Sequence, residues 1–166
     1  MSIDQKIGQA CLKGTSSRSK GLSEELKNEV RKGLVGSVLN LTEPSLVLEL
    51  QKIAVEESPN HIPLLFGRDV IHGYKTIFPI PLGLAASWDM ELVEKTSKIA
   101  ANESYSRCIN WTYAPMVDIA RDARWGRIAE SPGEDPLLAS RLGVAYVKGF
   151  QGNDPSVPGQ ILACVK

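Results

Sequence analysis

Apolar residues at Ile3, Ile7, Ala10 and Cys11 recur at helical spacing behind Ser2, a good N-capping residue, and predict an opening helix. The polar stretch 15–21 breaks it. Ser23 then caps a second helix, with Glu24 and Glu25 in its first turn, Leu26 and Val30 on one face and Gly33 at its end. From there short apolar runs alternate with longer amphipathic stretches. Residues 34–39 predict a first strand. Pro44 opens a helix over 46–55, with Val47, Leu50 and Ala54 on a common face, and Ser58-Pro59-Asn60 stops it. Residues 62–66 predict a second strand. Ser87 or Asp89 caps a long helix through Ser106 whose stripe is Leu92, Thr96, Ile99 and Glu103. Residues 111–117 predict a third strand. Asp135 and Pro136 open a helix running to about Phe150 and stopped by Gly152, and residues 161–165 predict a fourth strand.

Strands that are apolar on both sides and separated by helices indicate a parallel sheet built of βαβ units. Two architectures use such units. A doubly wound domain should carry a Gly-rich dinucleotide fingerprint after a strand, and none is present. The fold expected is therefore α/β, the amino-terminal half of a (β/α)8 barrel, with one or two short helices in front and the chain stopping after its fourth strand.

Composition narrows the function classes. Nineteen basic against nineteen acidic residues give zero formal charge, which argues against a nucleic acid or an anionic membrane as the main partner. No stretch approaches the roughly 18–20 apolar residues of a spanning helix. Cys11, Cys108 and Cys164 are widely spaced, with neither a CxxC pattern nor a histidine cluster, so no disulfide framework or structural zinc site is expected. Residues 1–6 are polar and lack the apolar core of a signal peptide, which says little if Met1 is an internal methionine. The compartment is not readable from the sequence.

In parallel α/β folds the working face lies at the carboxyl ends of the strands. Those ends present Asn40, then Arg68-Asp69 with His72, then Asp118, then Lys166. The connections after the second and third strands exceed the usual ~2–6 residues. The loop 118–135 holds three arginines, a tryptophan and five carboxylates in eighteen residues. Guanidinium forks interleaved with carboxylates suit a polyhydroxylated ligand, or brace the loop itself. Asp69 can accept hydroxyl hydrogen bonds from a sugar, act as base or nucleophile, or cap the next turn. Asp69-x-x-His72 admits a metal reading, but no third ligand has fitting spacing, so His72 reads as structural. His61, in a Ser-Pro-Asn-His turn, reads as surface. Glu103 reads as a structural carboxylate with Arg107 as a candidate partner. Trp88 and Trp111 read as core residues, and Trp125 as a face for a sugar ring.

Four segments in order carry a more specific signal: Gly67-Arg-Asp-Val-Ile-His-Gly73 with Thr76-Ile-Phe-Pro79, Gly83-Leu-Ala-Ala-Ser-Trp-Asp89, Ala114-Pro-Met-Val-Asp-Ile-Ala-Arg-Asp-Ala-Arg-Trp-Gly-Arg127, and Gly133-Glu-Asp-Pro136. Together they resemble the amino-terminal domain of glycoside hydrolase family 3, and within it the β-glucosidases of bacterial periplasmic type. Asp4-Gln-Lys-Ile-Gly-Gln9 is similar to that family's opening helix, so the resemblance covers essentially the whole chain.

The resemblance implies a retaining, exo-acting β-glycosidase, without cofactor or metal, that removes terminal glucose from a β-linked oligosaccharide or an aryl glucoside. By position, Asp69 would hold the hydroxyls at carbons four and six of the sugar in the −1 subsite, and Arg127 and Lys166 would hold neighbouring hydroxyls. Ala114-Pro115 would be a cis peptide. The family's nucleophile is an aspartate on a later strand, and its acid/base is a glutamate in a following domain or separate loop. No catalytic residue is therefore expected within these 166 residues, although residue reading alone admits Asp69 as nucleophile. The chain is expected to be an excerpt that relies on the rest of the barrel and on a second α/β domain, and that self-associates when isolated through open strand edges and apolar faces. Glu130-Ser-Pro-Gly-Glu-Asp-Pro136 also resembles the β-xylosidase branch. A non-catalytic sugar-binding or assembly module is the alternative from another class.

Overall fold

The computed structural model describes residues 1–15 and 21–166, so most of the predicted polar break lies outside the described residues. The chain divides into two compact units, residues 1–68 with 107–109, and residues 69–106 with 110–166.

In the first unit, α1 (Ile3–Gln9) starts at Ser2. The Ser2 hydroxyl accepts from Gln5 N at 3.2 Å and the Gln5 side chain accepts from Ser2 N at 2.8 Å, a reciprocal cap. Its predicted apolar face is not buried, since Ile3 and Ile7 are exposed. The helix instead approaches residues 33–34 through Gly8, where a Cβ would come within 2.5 Å of Leu34 Cα. A short strand, β1 (Leu12–Gly14), follows and precedes α2 (Glu24–Arg31). One helix thus lies ahead of the first strand, within the one or two expected, and the described residues form five strands rather than four. Leu-Lys-Gly is too short and too polar to announce itself by periodicity.

Ser23 caps α2 through Leu26 N, and Gly33, with φ +74°, ends it. Then come β2 (Ser37–Leu39), α3 (Pro44–Lys52) with Pro44 in its first turn, and β3 (Leu65–Arg68). β1, β2 and β3 run parallel, with Val38 aligned to both Lys13 and Phe66. Val30, Val38, Leu50 and Phe66 form the centre of this unit's core.

The second unit contains α4 (Pro81–Ala85), α5 (Met90–Tyr105), β4 (Trp111–Thr112), α6 (Pro136–Gln151) and β5 (Leu162–Ala163). Asp89 and Asp135 cap α5 and α6, accepting from Leu92 N at 2.9 Å and Leu138 N at 2.6 Å. α4 is a turn and a half of helix that sequence reading leaves as loop. The buried face of α5 is Val93, Thr96, Ser97, Ala100, Ala101 and Ser104, not the expected 92/96/99/103 stripe. Leu92 and Ile99 are exposed, because α6 seats against the small residues of α5: a Cβ on Gly149 would sit 2.5 Å from Ser97 Cβ. Periodicity weighted by large side chains finds the wrong stripe where two helices meet through small ones.

β4 and β5 are parallel and shorter than predicted, but the pairing continues beyond them. Cys164 N donates to Ala114 O at 3.1 Å, Lys166 N to Pro115 O at 2.9 Å and Val117 N to Lys166 O at 3.0 Å. The Ala114–Pro115 bond is cis. Trp88 corrects a core expectation, being 71% exposed with φ +56°, whereas Trp111 is half-buried against Tyr113 with ring centroids 4.7 Å apart. The strand–helix alternation is that of a (β/α) barrel, as expected. No helix among the described residues is long and apolar enough to cross a membrane.

Candidate functional site

Asp69 follows β3 directly, and its neighbour Val70 is fully buried with its N–H donated to Thr112 Oγ1 at 3.1 Å. That bond anchors the backbone behind Asp69 while leaving the carboxylate half-exposed. Lys166 is fixed by its backbone bonds to Pro115 and Val117. Its ammonium donates to Asp69 Oδ1 at 2.9 Å, a contact that joins two of the three predicted sugar-binding residues across 97 positions.

Arg127, the third, makes a two-pronged ion pair with Glu130, Nε to Oε1 at 2.8 Å and Nη2 to Oε2 at 2.7 Å. This hydrogen-bonded carboxylate raises the guanidinium's pKa; burial opposes it, while the charges of Glu130, Asp118 and Asp69 add to the rise. Glu130 is lowered in turn, first by Arg127 and further by the charge of Lys166, against its burial. Two ion pairs, Asp69–Lys166 and Arg127–Glu130, are thus linked, the charge of Asp69 reaching Arg127 and that of Lys166 reaching Glu130. Glu130 is the member that sequence reading missed. The available signal is its spacing from Arg127, which the short 3₁₀ turn Ile128–Glu130 converts into a contact.

The rest of the 118–135 loop is held from within. Ser131 is fully buried, its hydroxyl donating to Asp118 O at 2.8 Å and accepting from Gly133 N at 3.1 Å. Arg124 closes on Asp122, with Nη2 2.6 Å from Oδ2, so this arginine braces the loop. Arg121, Arg124, Asp118 and Trp125 line an open cavity of about 610 Å³. Asn40, with φ +66°, donates its N–H to Gly67 O at 2.9 Å and serves the backbone turn after β2.

His72 has its Nδ1 3.2 Å from Phe78 O, a bond inside its own loop. His61 is exposed, its Nδ1 2.7 Å from Val55 O. Among the described residues no group of three His, Cys, Asp or Glu side chains could hold a metal. Glu103 is structural, as expected, with partners different from the one predicted. It accepts from Lys75 N at 2.8 Å, Thr76 N at 2.9 Å and Thr76 Oγ1 at 2.6 Å, and these bonds lower its pKa. It thereby ties α5 to the loop that follows Asp69. Tyr113, next to β4, has its phenol pushed up by burial and then by the charge of Asp69.

Chemically, the cluster offers two carboxylates as acceptors and an ammonium and a guanidinium as donors, the complement of neighbouring hydroxyls on one ring. Glu130 is held ionised by Arg127 and does not suit a proton donor.

Residues 2–166 match the model of the glycosyl hydrolase family 3 N-terminal domain. The chain is 37% identical, over all 166 residues, to a periplasmic beta-glucosidase of Salmonella typhimurium, of which it covers 21%. It is 36% identical over 146 residues to a lysosomal beta glucosidase of Dictyostelium discoideum, covering 83% of this chain and 18% of that one. A beta-xylosidase of Formosa agariphila is 31% identical over 147 residues, 82% of this chain and 20% of that one. The crystal structure of a beta-glucosidase from Listeria innocua with isofagomine superposes with a TM-score of 0.84 at 40% identity, over 100% of this chain and 24% of that one. The chain thus spans about a fifth to a quarter of the length of these relatives.

Proposed function

Since the chain belongs to glycoside hydrolase family 3 through its N-terminal domain, we propose that it forms the sugar-gripping side of a retaining, exo-acting β-glucosidase. In this reading Asp69 accepts from two hydroxyls of a terminal glucosyl residue, and Lys166 and Arg127 donate to their neighbours. Glu130 keeps the Arg127 fork oriented. Retention requires two carboxyls about 5–5.5 Å apart across the scissile bond. The carboxylates of this cluster are each engaged by a cation instead, which suits binding. The reading therefore assigns nucleophile and acid/base to polypeptide outside these 166 residues, with the remainder of the barrel and a second domain as the chain's partners. The observation that carries it is the Asp69–Lys166 contact at 2.9 Å with Arg127 in the field of Asp69.

The test is steady-state kinetics of the polypeptide encoded by the complete gene on aryl β-glucoside and β-xyloside. Asp69→Ala is expected to lower kcat/KM for the glucoside by about 10²-fold or more, because it removes the charged acceptor of two substrate hydroxyls. The xyloside, lacking carbon six and its hydroxyl, should lose less. Equal losses would refute the assignment of the carbon-six hydroxyl to Asp69, and an unchanged kcat/KM would refute the site. Residues 1–166 alone should bind glucose weakly without turnover. They should also self-associate, a reading supported by the exposed Leu137, Val144 and Val165; a monodisperse monomer in light scattering would overturn that part.

A further inference from the structure

Tyr146, on α6, is only 5% exposed, and among the described residues its hydroxyl has no hydrogen-bond partner. A buried phenol left so loses its bonds to water without replacement. Burial pushes its pKa far up, so it stays a protonated donor at every physiological pH. Tyr146 also lines a cavity of about 10 Å³, walled by apolar Val70 and Phe150 and by polar Thr96, Ser97 and His72. Thr96 Oγ1 and Ser97 Oγ each donate to Val93 O, at 2.9 and 2.8 Å, which leaves their lone pairs as acceptors. If the His72 Nδ1 proton is given to Phe78 O, its Nε2 is an acceptor in the neutral ring.

We infer that this cavity is a binding site for one buried water molecule, held by the Tyr146 hydroxyl and the polar groups of α5 and of the 70–73 segment. Two requirements for a buried water are met together. The space is about that of a single water, at the lower limit of what one occupies, and four polar side chains, Tyr146, Thr96, Ser97 and His72, are among its lining. The bound water joins α6 and α5 to the segment just beyond Asp69, and gives α6 a polar tie to that segment in addition to its apolar packing. The inference concerns a part of the fold distinct from the Asp69–Lys166 cluster and stands whether or not that cluster binds sugar.

The experiment has two arms on the polypeptide encoded by the complete gene. A crystal structure near 1.6 Å should show a single peak within hydrogen-bond distance of Tyr146 Oη. A cavity without a peak, in well-ordered density, overturns the inference. Thermal unfolding of Tyr146→Phe supplies a sign. With the water present, the substitution removes one of its few partners, and Tm should fall, by about 1 °C in a polypeptide of the relatives' length. With the hydroxyl merely orphaned, the same change relieves an unsatisfied group, and Tm stays level or rises, which overturns the inference. If Tyr146→Phe fails to fold, the crystallographic arm on the natural protein decides.

Discussion

Replacing Glu103 by Gln tests the loop beyond Asp69 most directly. Three donors converge on this carboxylate, all from Lys75 and Thr76, at 2.6–2.9 Å. Gln keeps one oxygen acceptor and turns an NH₂ toward a donor, so at least one bond is lost and the rest lose charge assistance. A net bond contributes ~1 kcal/mol and one to a charged group more, but the site is partly solvated, so the expected loss is about 1–2 kcal/mol. For a chain of this size that lowers Tm by roughly 2–8 °C at neutral pH. The pH dependence is a sharper reading. The folded-state pKa of Glu103 is lowered by these bonds. Its stabilisation is therefore complete above the unfolded carboxyl's pKa and lost as pH falls through the folded one. The Tm gap between natural protein and Glu103→Gln should be constant above about pH 5 and close on acidification. Differential scanning calorimetry from pH 7 to pH 3 measures it. A gap of the same size at both ends would show that the three bonds do not depend on the charge, and would refute the argument.

Two further changes probe other links. Gly149→Ala places a methyl 2.5 Å from Ser97 Cβ, so the α5–α6 contact must spread; denaturant unfolding should show a loss of about 1–3 kcal/mol, and no loss would mean that the helices have slack there. Glu130→Gln leaves Arg127 without its two-pronged partner. KM for an aryl β-glucoside should rise about tenfold, equivalent to ~1.4 kcal/mol, with kcat changed less, and an unaltered KM would detach Glu130 from the site.

The residues themselves were enough to place most helix boundaries and the long loops that hold the candidate site. Ser2, Ser23, Asp89 and Asp135 cap where expected, and Gly33 and Gly152 stop where expected, because capping and left-handed backbone are decided within a few residues. The ordered motifs around Asp69, Arg127 and Lys166 were likewise readable, and with them the family. Tertiary structure decided what local chemistry cannot encode. β1 is a strand because β2 pairs with it, not because Leu-Lys-Gly favours one. The buried face of α5 is set by the glycine and small side chains at its meeting with α6, against the pull of its larger apolar residues. The contact between Asp69 and Lys166 spans 97 positions, and only the pairing of the 114–117 and 164–166 segments brings the ammonium to the carboxylate. Sequence names the charged groups, but long-range backbone pairing fixes which charge meets which.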